Sequence, residues 1–368
     1  MNFDEHFISR LLADAYRFEP RNLDYLRDSE LPHYGPFRRM KNNLLAALAK
    51  RGWSRRHFYI DRAAKKFGAI SAHMDKHREA YALLCDDYSR EAYVGVLSYR
   101  TLGAKHVRAL SNPAAHLEAR ETNKIRYMKG GGVRKAMGRM FNRYEIDGKS
   151  GGIQVELPQL AFQHTFTSEQ YFYRHGAVEI GAREGDVVLD GGGCWGDTAL
   201  YFADRAGTNG SVFVFEFEPG NLQLLRHNLS LNPHLERKIN IVERALWSHS
   251  DEELHFDSKG PGTRLEEGGA AAEHSVKTQH IDGLVQERGL QRVDFIKMDI
   301  EGAERAALRG AAETIKRWKP RLAITVYHHI DDFFEIPLYL ASLGCGYRFY
   351  LDHFTIHEEE TVLFAEAD

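Results

Sequence analysis

One group of residues in the second half of the chain has the types and spacing of a cofactor site. An apolar run ends with Asp190, Gly192 and Gly196, and a helical stretch begins near Asp197 and Thr198. Glycine permits a tight turn and close backbone approach to a ligand, and the free N–H groups of a helix start can hold a carboxylate or phosphate. The letters GGGCWG also fit the dinucleotide fingerprint, so this turn alone leaves NAD binding open.

An acidic residue follows the next apolar run, about one strand–helix unit later. The segment VFVFEFEP ends with Glu218, and an acid at that point can accept hydrogen bonds from both hydroxyls of a ribose. Glu216 lies two residues earlier on the same side of the strand and competes for this role. Alternatively, an acid here only favours the start of the following helix, predicted over 218–232. The sequence favours ribose binding by Glu218.

A second group of ionisable residues has the chemistry to activate a weak nucleophile. In the segment IKMDIEGAE, Lys297 and Asp299 alternate onto one face of a strand, and Glu301 and Glu304 follow at a spacing of three. These acids could instead only cap and favour the next helix. We predict catalytic roles for Asp299, Glu301 and Lys297.

Histidines follow the next predicted strand. It ends at Tyr327, His328 and His329, and histidine is the natural base near neutral pH. We predict His328 as a base or acceptor-orienting group and expect His329 to face away. Asp299, Glu301 and His328 could together hold a divalent cation, because carboxylate oxygens suit magnesium, but no metal site is expected.

Alternating elements must position these residues. From about residue 160, short β-rich runs alternate with amphipathic helical stretches, which predicts βαβ units and a mainly parallel sheet. The last two strands have no helix between them and can form an antiparallel hairpin. The predicted strands are Val187–Asp190, Val212–Phe217, Ile239–Leu246, Asp294–Met298, Leu322–Tyr327, Tyr347–Leu351 and Thr361–Ala365.

The first part of the chain has a different pattern. Residues 1 to about 110 are predicted to be helical, on the apolar spacing of Lys41–Lys50 and Ile70–Arg100, with Asp87 and Ser89 as cap or turn residues. The segment 129–143 holds five basic residues, three consecutive glycines and no acid. It predicts a mobile basic loop leading into a short helix, either a solvated linker or a lid over an anionic ligand.

Composition narrows the classes of protein. A chain of 368 residues with 27% charged residues and a net charge of −3 fits about two globular domains. Residues 1–150 carry 29 Lys and Arg against 17 Asp and Glu, and the rest carries 20 against 35. The halves could therefore dock on each other, or the basic half could attract an acidic substrate. Three dispersed cysteines and an acidic N-terminus without an apolar segment indicate a cytoplasmic protein without a signal peptide or transmembrane span.

Five blocks of the second half resemble the FkbM family of S-adenosylmethionine-dependent methyltransferases. They are LDGGGCWGDT, FEFEPGNLQLLRHNL, VDFIKMDIEGAE, ITVYHHIDDFFEIP and the terminal ETVLFAE, and SEQYF and DDYSREAYVGVLSYR also resemble longer members. The resemblance covers well over half of the chain. It implies an α/β class I methyltransferase fold, Rossmann-like, with a seven-stranded sheet and a reversed last strand. We therefore expect a mostly helical, basic N-terminal domain over 1–160 and a catalytic domain over 161–368.

The resemblance also assigns the cofactor-binding residues. It places Asp190, Gly192 and Gly196 beside the methionine part of S-adenosylmethionine, Glu218 at the ribose and Asn221 beside the adenine. Arg244 and Ala245 are the positions to check on the adenine side. Tyr171 and Phe172 could pack over the cofactor or simply into the core, and His353 matches a family position near the acceptor. The chain departs from the family at Cys194, where a small polar residue is usual.

These observations predict a methyltransferase that acts on oxygen. The acceptor is expected to be a hydroxyl of a sugar, glycan or secondary metabolite that can carry negative charge, with S-adenosylhomocysteine as the product. The basic N-terminal domain would supply acceptor specificity or a lid, and a homo-oligomer is compatible with the sequence. A binding protein on a retained methyltransferase fold and an NAD-dependent oxidoreductase stay open as alternatives. No [DN]PP[YF] element follows the fourth strand, so a nucleic-acid methyltransferase is less favoured.

Overall fold

The computed structural model describes residues 1–15, 56–103, 106–107, 113–266 and 274–368. The helix predicted over Lys41–Lys50 lies outside these ranges. None of the helices in the described ranges is long and apolar enough to cross a membrane.

The first part of the described chain is helical, as predicted. The helix Asp87–Leu102 begins after Asp86, whose side chain accepts a hydrogen bond from Ser89 N, so the cap is one residue earlier than the predicted Asp87. Gly103 follows the last residue of this helix and has a φ of +80°. The helices are α1 (Phe3–Ala15), α2 (Arg56–Ser71), α3 (Met74–Leu83), α4 (Asp87–Leu102) and α5 (Pro113–Tyr127).

The prediction of a basic loop and short helix over 129–143 is wrong. This segment forms most of β1 (Met128–Ala136) and β2 (Arg139–Gly148), which pair antiparallel, and β3 (Gly151–Leu157) extends the sheet. Met137 and Gly138 form the connection with φ of +50° and +71°, which is the turn conformation that suits a two-residue hairpin loop. Phe141 and Tyr144 of β2 are buried in the structure.

Smaller elements lead into the central sheet and continue through it. They are α6 (Gln159–Phe162), a π-helical turn (Gln163–Thr167), β4 (Tyr173–His175), β5 (Val178–Ile180), β6 (Val187–Gly191), α7 (Asp197–Arg205), β7 (Ser211–Phe215), α8 (Pro219–Ser230), α9 (Pro233–Glu236) and β8 (Ile239–Val242). The predicted strand 239–246 is thus interrupted, because β9 (Ala245–Leu246) joins a separate four-stranded sheet with β10 (Glu253–Phe256), β11 (Leu265–Glu266) and β12 (His274–Gln279).

The remaining elements complete the fold. They are α10 (Ile281–Arg288), β13 (Phe295–Met298), α11 (Glu304–Arg309), α12 (Ala312–Trp318), β14 (Arg321–Thr325), α13 (Asp332–Ser342), β15 (Tyr347–His353) and β16 (Thr361–Ala367). The central sheet has the order β15-β16-β14-β13-β6-β7-β8. Its seven strands, the reversed last strand and the final hairpin are confirmed. The sheet is mixed, however, because β16 pairs antiparallel with both β14 and β15 while the other four pairings are parallel.

The N-terminal helices pack directly on this sheet. Cys85 N donates to Phe349 O over 2.9 Å, and Leu351 N donates to Ser89 Oγ over 2.8 Å, which joins the start of α4 to edge strand β15. Phe3 and Tyr93 belong to the same buried apolar cluster as strand residues of the central sheet. The helices therefore enlarge the core on one face of the sheet, and a domain boundary at residue 160 stays a prediction.

Candidate active site

The glycine-rich turn after β6 begins at a buried carboxylate. Thr198 Oγ1 donates to Asp190 Oδ2 over 2.7 Å, and Lys297 Nζ lies 3.1 Å from Asp190 Oδ1. Burial raises the pKa of Asp190, while Lys297 and Thr198 act in the opposite direction. Burial alone would lower the pKa of Lys297, but the carboxylates of Asp190 and Asp299 raise it above its ordinary value. Lys297 is therefore a cation paired with Asp190 inside the protein.

Lys297 also fixes the backbone of the turn. Its ammonium donates to the carbonyl oxygens of Gly191 and Gly192 over 2.9 and 2.7 Å, and its side chain is 1% exposed. Gly192 has a φ of +80°, and a Cβ at this position would overlap the carbonyl oxygen of Asp299. Lys297 therefore lies beneath the turn. The backbone conformation at Gly192 requires glycine at this position.

The side chains at the start of α7 are used within the protein. Gly196 precedes the helix with a φ of +83°. Asp197 is buried and accepts a 2.5 Å hydrogen bond from Thr165 Oγ1 in the π-helical turn. Burial raises the pKa of Asp197 to about 6, an effect that this hydrogen bond opposes. Any ligand contact at this helix start would therefore come from backbone N–H groups.

The two acids after β7 have different surroundings. Glu216 lines a cleft at the carboxyl ends of the strands, and its Oε1 accepts from the backbone N–H groups of Phe217 and Glu218 over 2.7 and 2.8 Å. Glu218 instead caps α8, because its carboxylate accepts from Asn221 N over 2.5 Å and from Ser258 Oγ. Burial raises the pKa of Glu216 to about 7. The predicted competitor, Glu216, is thus the acid that faces the cleft.

A second polar group faces the same cleft. Asn221 is 3% exposed and lines the cleft beside Glu216, to whose Oε2 its Nδ2 donates over 3.3 Å. Its Oδ1 is buried and has no hydrogen-bond partner among the described residues. Arg244 and Cys194 also line the cleft. This edge therefore offers a carboxylate and an unpaired amide oxygen to a ligand.

Asp299 lies across the cleft, after β13. Tyr171 OH and Tyr327 OH donate to its two carboxylate oxygens over 2.8 and 3.1 Å, and its side chain is 18% exposed. Burial and the charge of Asp299 hold the pKa values of both tyrosines well above their usual range, so both remain donors. Lys297 Nζ lies 4.9 Å from the centre of the Tyr171 ring. Tyr171 therefore links the buried ion pair to Asp299.

His328 lies among three carboxylates. Its Nδ1 is 3.0 Å from Glu304 Oε1, and its Nε2 is 3.5 Å from Asp299 Oδ1 and 3.6 Å from Glu301 Oε2. Burial alone would lower the pKa of His328, but these carboxylates outweigh it and raise the pKa to about 11. His328 is thus an imidazolium at neutral pH and cannot accept a proton in this state.

Glu301 and Glu304 differ in exposure. Glu301 has a φ of +57°, lines the cleft, and lies 3.5 Å from Arg264 Nε. Glu304 is fully buried, and its Oε1 accepts from Ile300 N over 2.8 Å and from Thr325 Oγ1 over 3.2 Å. Glu301 is consequently placed to meet a ligand, whereas Glu304 supports His328 from behind.

Other histidines lie outside this arrangement. His353 is buried, shares a 2.9 Å hydrogen bond with Thr361 Oγ1, and has a pKa lowered to about 4 by burial. His329 does not line the cleft, and its backbone N–H donates to Asp332.

Two residues that neighbour the site were not predicted from the sequence. Glu360 accepts from Gln170 Nε2, and burial together with Asp299 and Glu359 raises its pKa to about 8. Thr165, as described, binds Asp197. Glu360 begins the block ETVLFAE, which was the available signal, whereas Thr165 has none because it meets its partner only through folding.

Comparison with known proteins agrees with this fold. Residues 179–349 match the family model described as the methyltransferase FkbM domain, so the resemblance is confirmed there. The crystal structure of methyltransferase FkbM from Methylobacillus flagellatus KT matches with a TM-score of 0.53 at 18% identity, over 81% of this chain and 60% of that chain. Fibrillarin from Aeropyrum pernix, solved with natively bound S-adenosyl-L-methionine, matches with a TM-score of 0.33 at 15% identity, over 50% and 67% of the two chains. No curated protein matches.

Proposed function

We propose, from the FkbM methyltransferase domain of residues 179–349, that this protein transfers a methyl group from S-adenosylmethionine to a hydroxyl of a sugar, glycan or secondary metabolite. The observation that carries the proposal is one cleft lined both by the glycine turn with Glu216 and Asn221 and by Asp299 and Glu301. A cofactor edge and an acid–base edge facing each other are what methyl transfer requires.

The residues present fit S-adenosylmethionine. Gly192 keeps the turn free of a side chain, Glu216 offers a carboxylate, and Asn221 offers an unpaired amide oxygen. We assign Glu216 to the ribose hydroxyls, because Glu218 is already engaged in capping α8. Asn221 Oδ1 would accept from the adenine amino group. The bound cofactor supplies a methyl group on a positively charged sulfur.

Asp299 is the best-placed proton acceptor. Its carboxylate is held by two tyrosine hydroxyls and lines the cleft, whereas the imidazolium of His328 has no free lone pair. We infer that Asp299 accepts the proton of the acceptor hydroxyl as its oxygen attacks the methyl group. His328 and Glu301 would orient the acceptor, and Lys297 would hold the turn rather than take part in proton transfer.

The charge on the Asp299 side of the cleft affects which acceptors can bind there. The carboxylates of Asp299 and Glu301 give it acidic character, which favours a neutral hydroxyl compound over the anionic acceptor that the sequence allowed. Arg100, on α4, donates to the carbonyl oxygens of Tyr327 and Glu358. We therefore keep the proposal that the N-terminal part of the chain contributes to acceptor specificity.

Location and assembly remain proposals as well. The cysteines Cys85, Cys194 and Cys345 are free thiols, which fits a reducing compartment such as the cytoplasm. A homo-oligomer is compatible with this arrangement. Size-exclusion chromatography with light scattering measures the assembly directly.

Calorimetric titration with S-adenosylhomocysteine tests the proposal, with NAD as the control ligand. We expect micromolar binding that is weakened at least tenfold in Glu216→Ala. Methyl transfer from labelled S-adenosylmethionine to a panel of sugars and phenols follows. The absence of S-adenosylhomocysteine binding to the folded wild type would overturn the proposal, and binding of NAD alone would favour an oxidoreductase.

A further inference from the structure

We propose that Asp299, Glu304 and His328 form a binding site for a divalent transition-metal ion at the acceptor side of the cleft. These residues come from three places in the fold, namely the end of β13, the start of α11 and the end of β14. Each offers one ligand atom, and all three atoms lie within 4.8 Å of one another. No metal site was expected from the sequence, and the set that it allowed had Glu301 in place of Glu304.

The separation of the ligand atoms suits one ion. Metal–ligand distances of about 2.0–2.2 Å to nitrogen and oxygen put two ligand atoms on one ion at most about 4.4 Å apart. The three ligand atoms therefore need to move only slightly closer together to bind one ion. Nothing else in the described chain satisfies the same spacing.

Unsatisfied buried atoms point to a ligand independently of this spacing. Glu304 Oε2 is buried without a hydrogen-bond partner among the described residues. The His328 side chain is 1% exposed, and its ring nitrogens lie 3.0–3.6 Å from carboxylate oxygens without an aligned hydrogen bond. Buried polar atoms are nearly always paired, so atoms that converge without pairing need an explanation. A shared cation that displaces the proton of His328 as it binds supplies one.

The surroundings would hold the ligands and leave the ion accessible. Glu304 is oriented through its Oε1 by Ile300 N and Thr325 Oγ1, as a ligating carboxylate usually is. Asp299 and Glu301 line the cleft. An ion held from behind by Glu304 and His328 would therefore keep its remaining positions toward the acceptor.

The ligand types indicate which ions fit. Two carboxylates and one imidazole suit Mn²⁺ or Zn²⁺ better than the all-oxygen sites of Ca²⁺. The role of the ion rests on the proposed function: an acceptor hydroxyl bound to it would lose its proton more readily. If Asp299 binds through one oxygen, its second oxygen remains to take that proton.

Binding of Mn²⁺ to the full chain tests the site without any activity measurement. The protein is stripped with a chelator and titrated with MnCl₂, and free Mn²⁺ is followed by electron paramagnetic resonance. We expect one equivalent bound with a micromolar dissociation constant and at least tenfold weaker binding in Glu304→Gln. Glu313→Gln, an exposed acid on neighbouring α12, is the matched control and should bind as the wild type does.

A second variant keeps the test decisive if Glu304→Gln fails to fold. Asp299→Asn changes the partly exposed ligand and should also weaken Mn²⁺ binding at least tenfold. No binding to the folded wild type, or equal binding in wild type and folded ligand variants, overturns the site. S-adenosylhomocysteine binding is measured on the same samples. If the wild type binds S-adenosylhomocysteine but not Mn²⁺, only the metal site is overturned. If it binds Mn²⁺ but not S-adenosylhomocysteine, the proposed cofactor is overturned.

Discussion

Lys297 Nζ and Asp190 Oδ1 lie 3.1 Å apart, and their side chains are 1% and 0% exposed. The same ammonium holds two carbonyl oxygens of the glycine turn. A buried ion pair adds little net stability, but removing one partner leaves an uncompensated buried charge. We therefore propose that the pair serves to fix the shape of the turn.

Replacing Lys297 should destabilise the whole fold. Lys297→Met leaves Asp190 buried and unpaired, and we expect a loss of about 3–5 kcal/mol in the free energy of unfolding. Urea denaturation followed by circular dichroism measures it. Lys316→Met, at an exposed lysine of α12, is the control, and Lys297→Met/Asp190→Asn should recover part of the loss. A loss below about 1 kcal/mol for the single variant would contradict this role.

Variants of the two acids after β7 should distinguish the residue that binds the cofactor from the residue that caps α8. Glu216→Gln should weaken S-adenosylhomocysteine binding by roughly 10–100-fold, because it removes the charge from the proposed ribose contact. Glu218→Ala should cost about 1 kcal/mol of stability through the lost helix cap and change affinity less. Calorimetry and thermal denaturation of both variants provide the comparison. If Glu218→Ala weakened binding more than Glu216→Gln does, the ribose contact would be assigned to Glu218 instead.

Binding should also depend on pH through Glu216. Burial raises its pKa to about 7, so the carboxylate needed for the ribose hydroxyls is lost as pH falls below that value. Affinity for S-adenosylhomocysteine should rise between pH 5.5 and 8, and the rise should be absent in Glu216→Gln. Because the native state holds this proton more tightly than the unfolded chain, the contribution of Glu216 to stability declines as pH rises from about 4.5 to about 7. An identical pH profile in the variant would contradict the assignment.

Asp299 should matter for turnover more than for cofactor affinity. Asp299→Asn removes the proposed proton acceptor, and we expect kcat to fall by about 10²–10⁴-fold with little change in S-adenosylhomocysteine binding. Tyr171→Phe should show a smaller loss, since Tyr327 still holds the carboxylate. Asp87→Asn, at a fully exposed helix start, is the control. Unchanged turnover in Asp299→Asn, measured with any accepted hydroxyl compound, would exclude this role.

Much of the central sheet was predictable because its signals are local. Apolar runs bounded by turn residues predicted its seven strands, and the motif around Asp299 predicted the strand end at which it lies. The hairpin of β1 and β2 was missed, because its basic, glycine-rich strand is mostly exposed and lacks a clear two-residue period. Its turn at Met137 and Gly138 was the available signal.

The amino-acid sequence by itself determined the strand–helix alternation, the glycine turn after Asp190 and the resemblance to FkbM methyltransferases, since each depends on residues that are close along the chain. Only the tertiary structure decided that Glu216 rather than Glu218 faces the cleft, that Lys297 is buried beneath the turn, and that His328 lies among carboxylates. The protonation state of each of these side chains and the direction in which it points depend on its partners and its burial. Those partners come from distant segments of the chain, which only folding brings together.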